Sequence, residues 1–250
     1  MPELILETEK MLLYQQQLGK WNNLNHLIIC KSTNQACIVD PFDGKFWLDF
    51  CQLMEVEITE IWLTHTHWDH IKGVDALYHN SDIQPILRCH ILEQQRGYES
   101  TRADWWTHDE LSSVATMFGD IEFTVHCTPG HSPGHVTIIG DGAIITGDCL
   151  FLHSCGRTDL FGGDQEKQRQ SVIYLKEVFD TVSLDSLILP GHQYEQDDGS
   201  IPTTIELETF LQENLAMISA HDILLWNNLP FLSFEDNMAV QARRQKAMHS

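Results

Sequence analysis

Four side chains that can bind metal ions fall within six consecutive positions of this sequence. The segment HTHWDH (65–70) follows the apolar run EIWLT (60–64), whose composition predicts a strand. Side chains two positions apart at a strand end project to the same side, so His65 and His67 can hold one ion. Asp69 and His70 follow on the predicted turn into a helix and can reach a second ion.

Three further segments place a histidine or an aspartate at the end of a predicted strand. They read TPGHSPGH (128–135), TGD (146–148) and PGH (190–192). Glycines beside each candidate ligand allow tight turns and a close approach of the backbone to a metal cluster. The segments therefore add His131, Asp148 and His192 to the candidate ligands.

The chemistry of these side chains favours a divalent metal centre. Imidazole and carboxylate ligands suit zinc, and they also suit iron or manganese. We predict two divalent metal ions per chain, with zinc favoured. A water molecule held between two such ions becomes hydroxide near neutral pH and can attack a carbonyl carbon.

Three residues beside the candidate ligands have roles that the sequence indicates less directly. Cys149 follows Asp148, and we expect it to be a small residue packed on a strand rather than a ligand. His135 fits two roles that remain open, support for His131 and a surface imidazole. We expect the ring of Trp68 to be buried below the cluster and to hold the loop in shape, rather than to stack on a substrate.

The rest of the chain predicts the elements that position these residues. Two segments, 44–54 and 164–181, have the spacing of amphipathic helices, and Asp164 is a suitable N-cap for the second. Strands and interspersed helices predict a layered α/β fold. Eight apolar, β-branched runs are typical of strands: LNHLIIC, QACIVD, EIWLTH, QPILRC, IEFTVHC, HVTIIG, AIITGD and SLILPGH.

Composition excludes several classes of protein. The 250 residues include 15 Lys and Arg against 36 Asp and Glu, for a formal charge of −21, and 42% are hydrophobic. An acidic surface repels nucleic-acid phosphates and anionic lipid headgroups, and no apolar run is long enough to span a membrane. We expect neither nucleic acid nor membrane as a partner, and the oligomeric state stays open. Seven scattered cysteines and an acidic N-terminal segment favour the cytoplasm.

In their order and separation, the four motifs resemble the metallo-β-lactamase superfamily, from about residue 20 to residue 195. The resemblance implies an αββα sandwich with the metal site at the strand ends between two sheets. We therefore predict a catalytic domain over residues 1–195 and a C-terminal helical extension over 196–250 that packs on it. The resemblance also implies two sets of metal ligands bridged by Asp148: His65, His67 and His131 for one ion, and Asp69, His70 and His192 for the other.

Two more segments indicate a branch of this superfamily. GDCLF (147–151) and CGRTDL (155–160) resemble the branch that contains glyoxalase II and the persulfide dioxygenases, and Trp68 together with PGHQY (190–194) favours glyoxalase II. The implied reaction is hydrolysis of a small-molecule acyl thioester, such as a hydroxyacylglutathione, by a metal-bridging hydroxide. Asp69 and Asp148 would be the catalytic residues of this thioesterase.

Two alternative functions stay open, because this fold carries several reactions. One is a persulfide dioxygenase with a single iron ion on His65, His131 and Asp148. The other is a hydrolase of acyl-carrier thioesters in a polyketide-type pathway.

The resemblance also suggests where a substrate would bind. Glyoxalase II enzymes hold the carboxylates of glutathione with basic residues, and here LPFL (229–232) and RRQK (243–246) look similar to their C-terminal elements. Arg157 stands where those enzymes offer a lysine, but Asp159 has replaced a tyrosine. We predict that Arg157, Arg243 and Lys246 bind substrate. A basic turn that compensates a helix dipole is the open alternative for the last two.

Overall fold

The computed structural model describes residues 1–80, 83–196, 199–241 and 244. Its strands form two sheets, and neighbouring strands in the first sheet follow chain order throughout. The second sheet has the order β13-β12-β11-β10-β9-β8. The strands of the first sheet are β1 (Glu3–Glu7), β2 (Met11–Leu18), β3 (Asn23–Cys30), β4 (Gln35–Val39), β5 (Glu57–Trp62), β6 (Ile86–His90) and β7 (Ala103–Trp106). Those of the second are β8 (Ser113–Phe118), β9 (Ile121–Cys127), β10 (Val136–Gly140), β11 (Ala143–Gly147), β12 (Leu187–Pro190) and β13 (Ile205–Glu206).

The helices lie between these strands or after them along the chain. A 3₁₀ helix over Ile91–Arg96 accompanies them. The α-helices are α1 (Gly44–Met54), α2 (Trp68–Ile71), α3 (Val74–Asn80), α4 (Gln165–Phe179), α5 (Leu207–Glu213), α6 (Leu215–Ser219) and α7 (Ile223–Asn227).

Three apolar clusters hold together four layers of secondary structure, namely two sheets with helices on the outer face of each. The central cluster lies between the sheets, where Trp62 of β5 contacts Phe123 of β9 edge to face with ring centroids 5.2 Å apart. A second cluster joins the outer face of the first sheet to α1 and α3, and a third joins the second sheet to α4 and the C-terminal helices. This helix–sheet–sheet–helix arrangement confirms the predicted αββα sandwich.

The eight predicted strands are present within a few residues of the predicted bounds. The predicted helix over residues 44–54 is confirmed, and α4 begins after Asp164, whose carboxylate accepts a hydrogen bond from the backbone N–H of Lys167 at 2.9 Å. Four of the strands that were not predicted, β1, β7, β8 and β13, are the edge strands of the two sheets. An edge strand buries less of each face, so its hydrophobic pattern is weaker.

The C-terminal segment packs on the second sheet. Phe210 of α5 and Trp226 of α7 are fully buried in one cluster with Val172 of α4. Among the described residues, the segment contains α5, α6, α7 and a further helical stretch over 237–241, and it also adds β13 to the edge of the second sheet. Within the described residues, no helix combines the length and the apolar character needed to cross a membrane.

Candidate metal centre

The structure brings all seven candidate ligands together at one end of the two sheets. They lie on the turns that follow β5, β9, β11 and β12, and all seven side chains are buried. Strand ends of both sheets therefore contribute to one site. The seven are His65, His67, Asp69, His70, His131, Asp148 and His192.

The first group contains His65, His67 and His131, each of which offers a ligand atom within 4.8 Å of the other two. Their Nε2 atoms are buried and have no hydrogen-bond partner among the described residues. Burial lowers the pKa of all three imidazoles, so they are neutral near pH 7. A buried imidazole nitrogen without a partner is costly, and a neutral imidazole is the form that binds a metal ion. The donor set therefore fits a cation.

The second group contains Asp69, His70 and His192. The Nε2 atoms of His70 and His192 lie 3.2 Å apart, and His192 Nε2 lies 3.4 Å from Asp69 Oδ2. Burial opposes a charge on His70, but Asp148 and Asp40 outweigh it and raise the pKa of this imidazole well above its usual value. The carboxylates around this group thus favour a positive charge at its centre.

The carboxylate of Asp148 faces both groups. Its Oδ1 lies 3.4 Å from His70 Nε2, while its Oδ2 lies 3.4 Å from His131 Nε2 and 3.3 Å from His192 Nε2. A Cβ atom at Gly191 would lie 2.2 Å from Asp148 Oδ1, so only glycine allows this approach. One carboxylate thus lies between the two groups, and its bridging role stays a prediction.

Hydrogen bonds on the far side of the imidazole rings fix which nitrogen faces the centre. The Nδ1 atoms of His131 and His192 donate to the backbone carbonyls of Arg157 at 2.7 Å and Trp21 at 2.8 Å. With Nδ1 occupied in this way, Nε2 is left to face inward.

Asp40 is a supporting residue that the sequence analysis missed. Its carboxylate accepts hydrogen bonds from the backbone N–H of Thr64 at 2.8 Å, from the Thr64 hydroxyl at 2.6 Å and from His70 Nδ1 at 3.0 Å. Although Asp40 lies near His65 and His70 as a possible third ligand, these bonds occupy both of its oxygens. It therefore orients His70 and the turn that carries His65. Like the candidate ligands, Asp40 lies at the end of a predicted strand, QACIVD, and this position could have indicated that it belongs to the site.

Glu93 is a second residue that no motif indicated. Its side chain is fully buried in the 3₁₀ helix and accepts hydrogen bonds from the backbone N–H and hydroxyl of Thr66, the backbone distance being 2.8 Å. It also accepts from the Ser132 hydroxyl at 2.6 Å and from the backbone N–H of Gly134 at 2.8 Å. One carboxylate thus joins the loop of His65 and His67 to the loop of His131.

The structure decides the role of His135 that the sequence left open. The residue is fully buried, and its Nε2 lies 3.1 Å from the backbone nitrogens of both Asp148 and Cys149. It supports the turn that carries Asp148, rather than His131 or the surface. Cys149 is a buried free thiol, in agreement with the predicted packing role.

The expected burial of Trp68 was wrong. Its side chain is 45% exposed and contacts Trp21 edge to face, with ring centroids 4.4 Å apart. Helix α2 begins at Trp68, and because Asp69 and His70 occupy the inward face of this turn, the indole lies on the outward face. It lines a cleft of about 500 Å³ that opens onto the candidate ligands.

Arg157 also lines this cleft, but its charge is already compensated within the chain. Its guanidinium donates four hydrogen bonds, two to Asp159 and two to Asp236, over distances of 2.6 to 3.0 Å. Substrate binding by Arg157 stays a prediction, and the two carboxylates would compete with any anionic ligand. Arg243 and Lys246 lie outside the described residues.

Comparison with known proteins finds relatives of similar sequence and structures of similar fold. The hydroxyacylglutathione hydrolase of Tolumonas auensis is 30% identical over 171 residues, which cover 68% of this chain and 62% of that protein. The enzyme of the same name from Pseudomonas savastanoi pv. phaseolicola is 28% identical over 223 residues, covering 85% and 76%. The crystal structure of ETHE1 from Myxococcus xanthus superposes with a TM-score of 0.72 at 22% identity, covering 95% of this chain and 99% of that one.

A family model covers most of the sandwich. Residues 26–192 match the model of the metallo-beta-lactamase superfamily, and this range contains all seven candidate ligands. The superfamily is one of metal-dependent enzymes that bind divalent ions. The chain belongs to the metallo-β-lactamase superfamily.

Proposed function

We propose that this chain is a metal-dependent hydrolase of acyl thioesters, with two divalent metal ions at the base of the cleft and zinc as the first candidate. The observation that carries the proposal is the convergence of two three-residue groups on the single carboxylate of Asp148. A cleft of about 500 Å³ above them has room for a small substrate.

The donor set supports two ions. His65, His67 and His131 would hold one of them through Nε2 atoms that otherwise have no described partner, and Asp69, His70 and His192 would hold the other. When bound, divalent ions at these positions supply the Lewis acidity that activates water and polarises a carbonyl. Asp148 would contact both ions.

The two carboxylates proposed as catalytic are held in place by neighbouring groups. The side-chain amide of Asn23 donates to Asp69 Oδ2 at 2.9 Å, and this oxygen stays within 3.4 Å of His192 Nε2. Asp148 is held by the backbone bonds to His135. Carboxylates fixed in this way would hold the two ions in position for attack on the thioester carbonyl.

The choice of a thioester is supported by sequence rather than by fold. Both curated relatives described above are named hydroxyacylglutathione hydrolases, and the motifs around Trp68 and Tyr194 resemble that branch. A persulfide dioxygenase on His65, His131 and Asp148 would employ only three of the seven converging side chains. The complete second group of Asp69, His70 and His192 therefore favours the hydrolase.

Metal analysis combined with a thioester assay tests the proposal. Protein purified without chelator should contain two divalent ions per chain, and it should release thiol from S-lactoylglutathione or from one of a panel of acyl-CoA thioesters. The absence of thiol release with every member of the panel contradicts the proposal. One iron ion per chain, together with oxygen uptake on glutathione persulfide, supports the dioxygenase instead.

Three wider assignments accompany the proposal. The cytoplasm is supported by seven buried free thiols, which persist in a reducing compartment. A small-molecule partner, rather than nucleic acid, is supported by the formal charge of −21. The division at residue 195 places all seven candidate ligands in the catalytic domain and gives the extension a role in lining the cleft through Phe231, Phe234 and Met238.

A further inference from the structure

We infer that the cleft selects an uncharged, aromatic acyl group and disfavours acyl groups that end in a carboxylate. The inference rests on the proposed thioester hydrolysis and names the acyl class that it serves. Three observations carry it, namely two indoles beside the candidate ligands, further aromatic rings in the lining of the cleft, and an arginine whose charge is compensated.

The two indoles are those of Trp21 and Trp68. Trp68 lies between His67 and Asp69 in the chain, and the backbone carbonyl of Trp21 accepts the hydrogen bond from His192 Nδ1 at 2.8 Å. Both indoles are therefore connected directly to the candidate ligands. A carbonyl placed at the metal centre would therefore lie close to these rings, and we assign them to the acyl substituent.

Further aromatic rings that line the cleft come from three parts of the chain. Phe151 follows Asp148 by three residues and contacts Tyr194 edge to face, with ring centroids 5.0 Å apart. Phe231 and Phe234 of the C-terminal extension also line the cleft. Tyr194 is 50% exposed and Phe234 is 44% exposed, so both rings retain surface that a ligand can cover. Stacking between aromatic groups adds to the gain from burial of their area.

The charges around Arg157 disfavour an anion at that part of the cleft. Arg157 is bound on one side by Asp159 and on the other by Asp236, so the three side chains together carry a net negative charge. Phe234 also covers the guanidinium, with Arg157 Cζ 4.7 Å from the ring centroid. Lys20 also lines the cleft, and its ammonium group is held over the Trp21 ring, with Nζ 4.0 Å from the ring centroid. An acyl carboxylate that approached Arg157 would meet two carboxylates already in place.

The test uses three thioesters of one thiol, so that only the acyl group varies. Phenylacetyl, lactoyl and succinyl thioesters of N-acetylcysteamine are compared by kcat/KM on the metal-loaded protein. We expect phenylacetyl to exceed lactoyl by about tenfold or more, and succinyl to be the poorest. Calorimetry with the three ketone analogues, in which a methylene group separates carbonyl from sulfur, should give the same order of affinity without turnover.

Two substitutions identify the responsible residues. Trp68→Ala should lower kcat/KM for the phenylacetyl thioester about tenfold more than for the lactoyl thioester. The control is Leu53→Ala, at a position that is 67% exposed on α1, and it should leave kcat/KM for both thioesters unchanged. In the wild type, Asp236 accepts a hydrogen bond from the backbone N–H of Ala239 at 2.9 Å. Asp236→Asn keeps this acceptor and removes one of the two negative charges that compensate Arg157. It should raise kcat/KM for succinyl about tenfold, and the neighbouring Glu235→Gln should not.

The outcomes separate the inference from the proposed function. If none of the three thioesters is hydrolysed, the proposed function fails. If they are hydrolysed with lactoyl equal to phenylacetyl or better, or with succinyl preferred, only the inference is overturned. An unchanged acyl preference in Trp68→Ala would also overturn it.

Discussion

The imidazole of His135 accepts a hydrogen bond from the backbone N–H of Asp148, with Nε2 and N 3.1 Å apart. The N–H of Cys149 points to the same nitrogen at 3.1 Å. Because both groups are donors, Nε2 carries no proton, and Nδ1–H donates to the Thr128 hydroxyl at 3.1 Å. His135 therefore holds the turn from which the Asp148 carboxylate faces both groups of candidate ligands.

Replacement of His135 should weaken metal binding although the residue is not itself a candidate ligand. His135→Phe retains a ring of similar size but removes the acceptor, so the turn at Asp148 loses two hydrogen bonds. We expect metal affinity to fall about 10- to 100-fold, as measured by competition with a chelator. His221→Ala, at an exposed position, is the control. An unchanged metal affinity in His135→Phe would contradict the supporting role of His135.

Replacement of Asp148 tests the proposed bridge directly. Asp148→Ala removes the carboxylate that, among the described residues, lies within 3.4 Å of His70, His131 and His192. Both metal occupancy and kcat should fall. The effect should exceed the roughly 10- to 100-fold change expected when a residue that only supports a ligand, such as His135, is replaced. Elemental analysis and thioester turnover measure the two effects. Near-normal turnover would contradict the assigned bridge.

Glu93→Gln should destabilise the fold as well as the site. The buried carboxylate accepts from four donors on two loops, and an amide NH₂ cannot accept from the donors that face it. We expect the free energy of unfolding to decrease by about 2–5 kcal/mol in urea titrations. Glu177→Gln, exposed on α4, removes a carboxylate of the same type and should change stability by less than about 0.5 kcal/mol. Equal stability of the two variants would contradict the assigned contacts.

The candidate ligands could be predicted because their signal is local. Each follows a strand whose apolar run is visible in the sequence, and the convergence of strand ends brings them together. Trp68 could not be placed in the same way, because the inward or outward direction of a side chain depends on the residue at which α2 begins. A shift of that start by one position would rotate the ring by about 100°.

The supporting residues were missed because their partners are distant in the chain. Asp40 contacts Thr64 and His70, and Glu93 contacts loops on either side of it, so no short motif contains both members of these pairs.

The edge strands were missed for another reason. β8 exposes most of its residues, and its sequence SVATMF therefore lacks a buried apolar stripe.

The stability of the protein should depend on His26 between pH 7 and pH 4.5. This buried imidazole accepts from the side-chain amide of Gln15 at 3.1 Å, and burial lowers its pKa from 6.5 to about 3. The unfolded chain takes up a proton near pH 6.5 while the folded chain does not, so stability falls as the pH falls through this window. His26→Gln should remove about 2–3 kcal/mol of this decrease in urea titrations. His221→Gln should leave the decrease unchanged, and an identical pH dependence of wild type and His26→Gln would contradict the assignment.

The basic residues at the C-terminus provide the test of the thiol carrier. With Arg157 compensated by Asp159 and Asp236, Arg243 and Lys246 are the predicted contacts that remain for the carboxylates of glutathione. Such contacts are remote from the thioester carbonyl and bind ground and transition states alike, so their loss should raise KM and leave kcat unchanged. Arg243→Ala and Lys246→Ala should each raise KM for a phenylacetyl glutathione thioester about tenfold, which is the value of one charged hydrogen bond. KM for the phenylacetyl thioester of N-acetylcysteamine, which lacks those carboxylates, should stay within about twofold of wild type. Equal changes with both substrates would assign Arg243 and Lys246 to the helix terminus and favour a carrier without carboxylates.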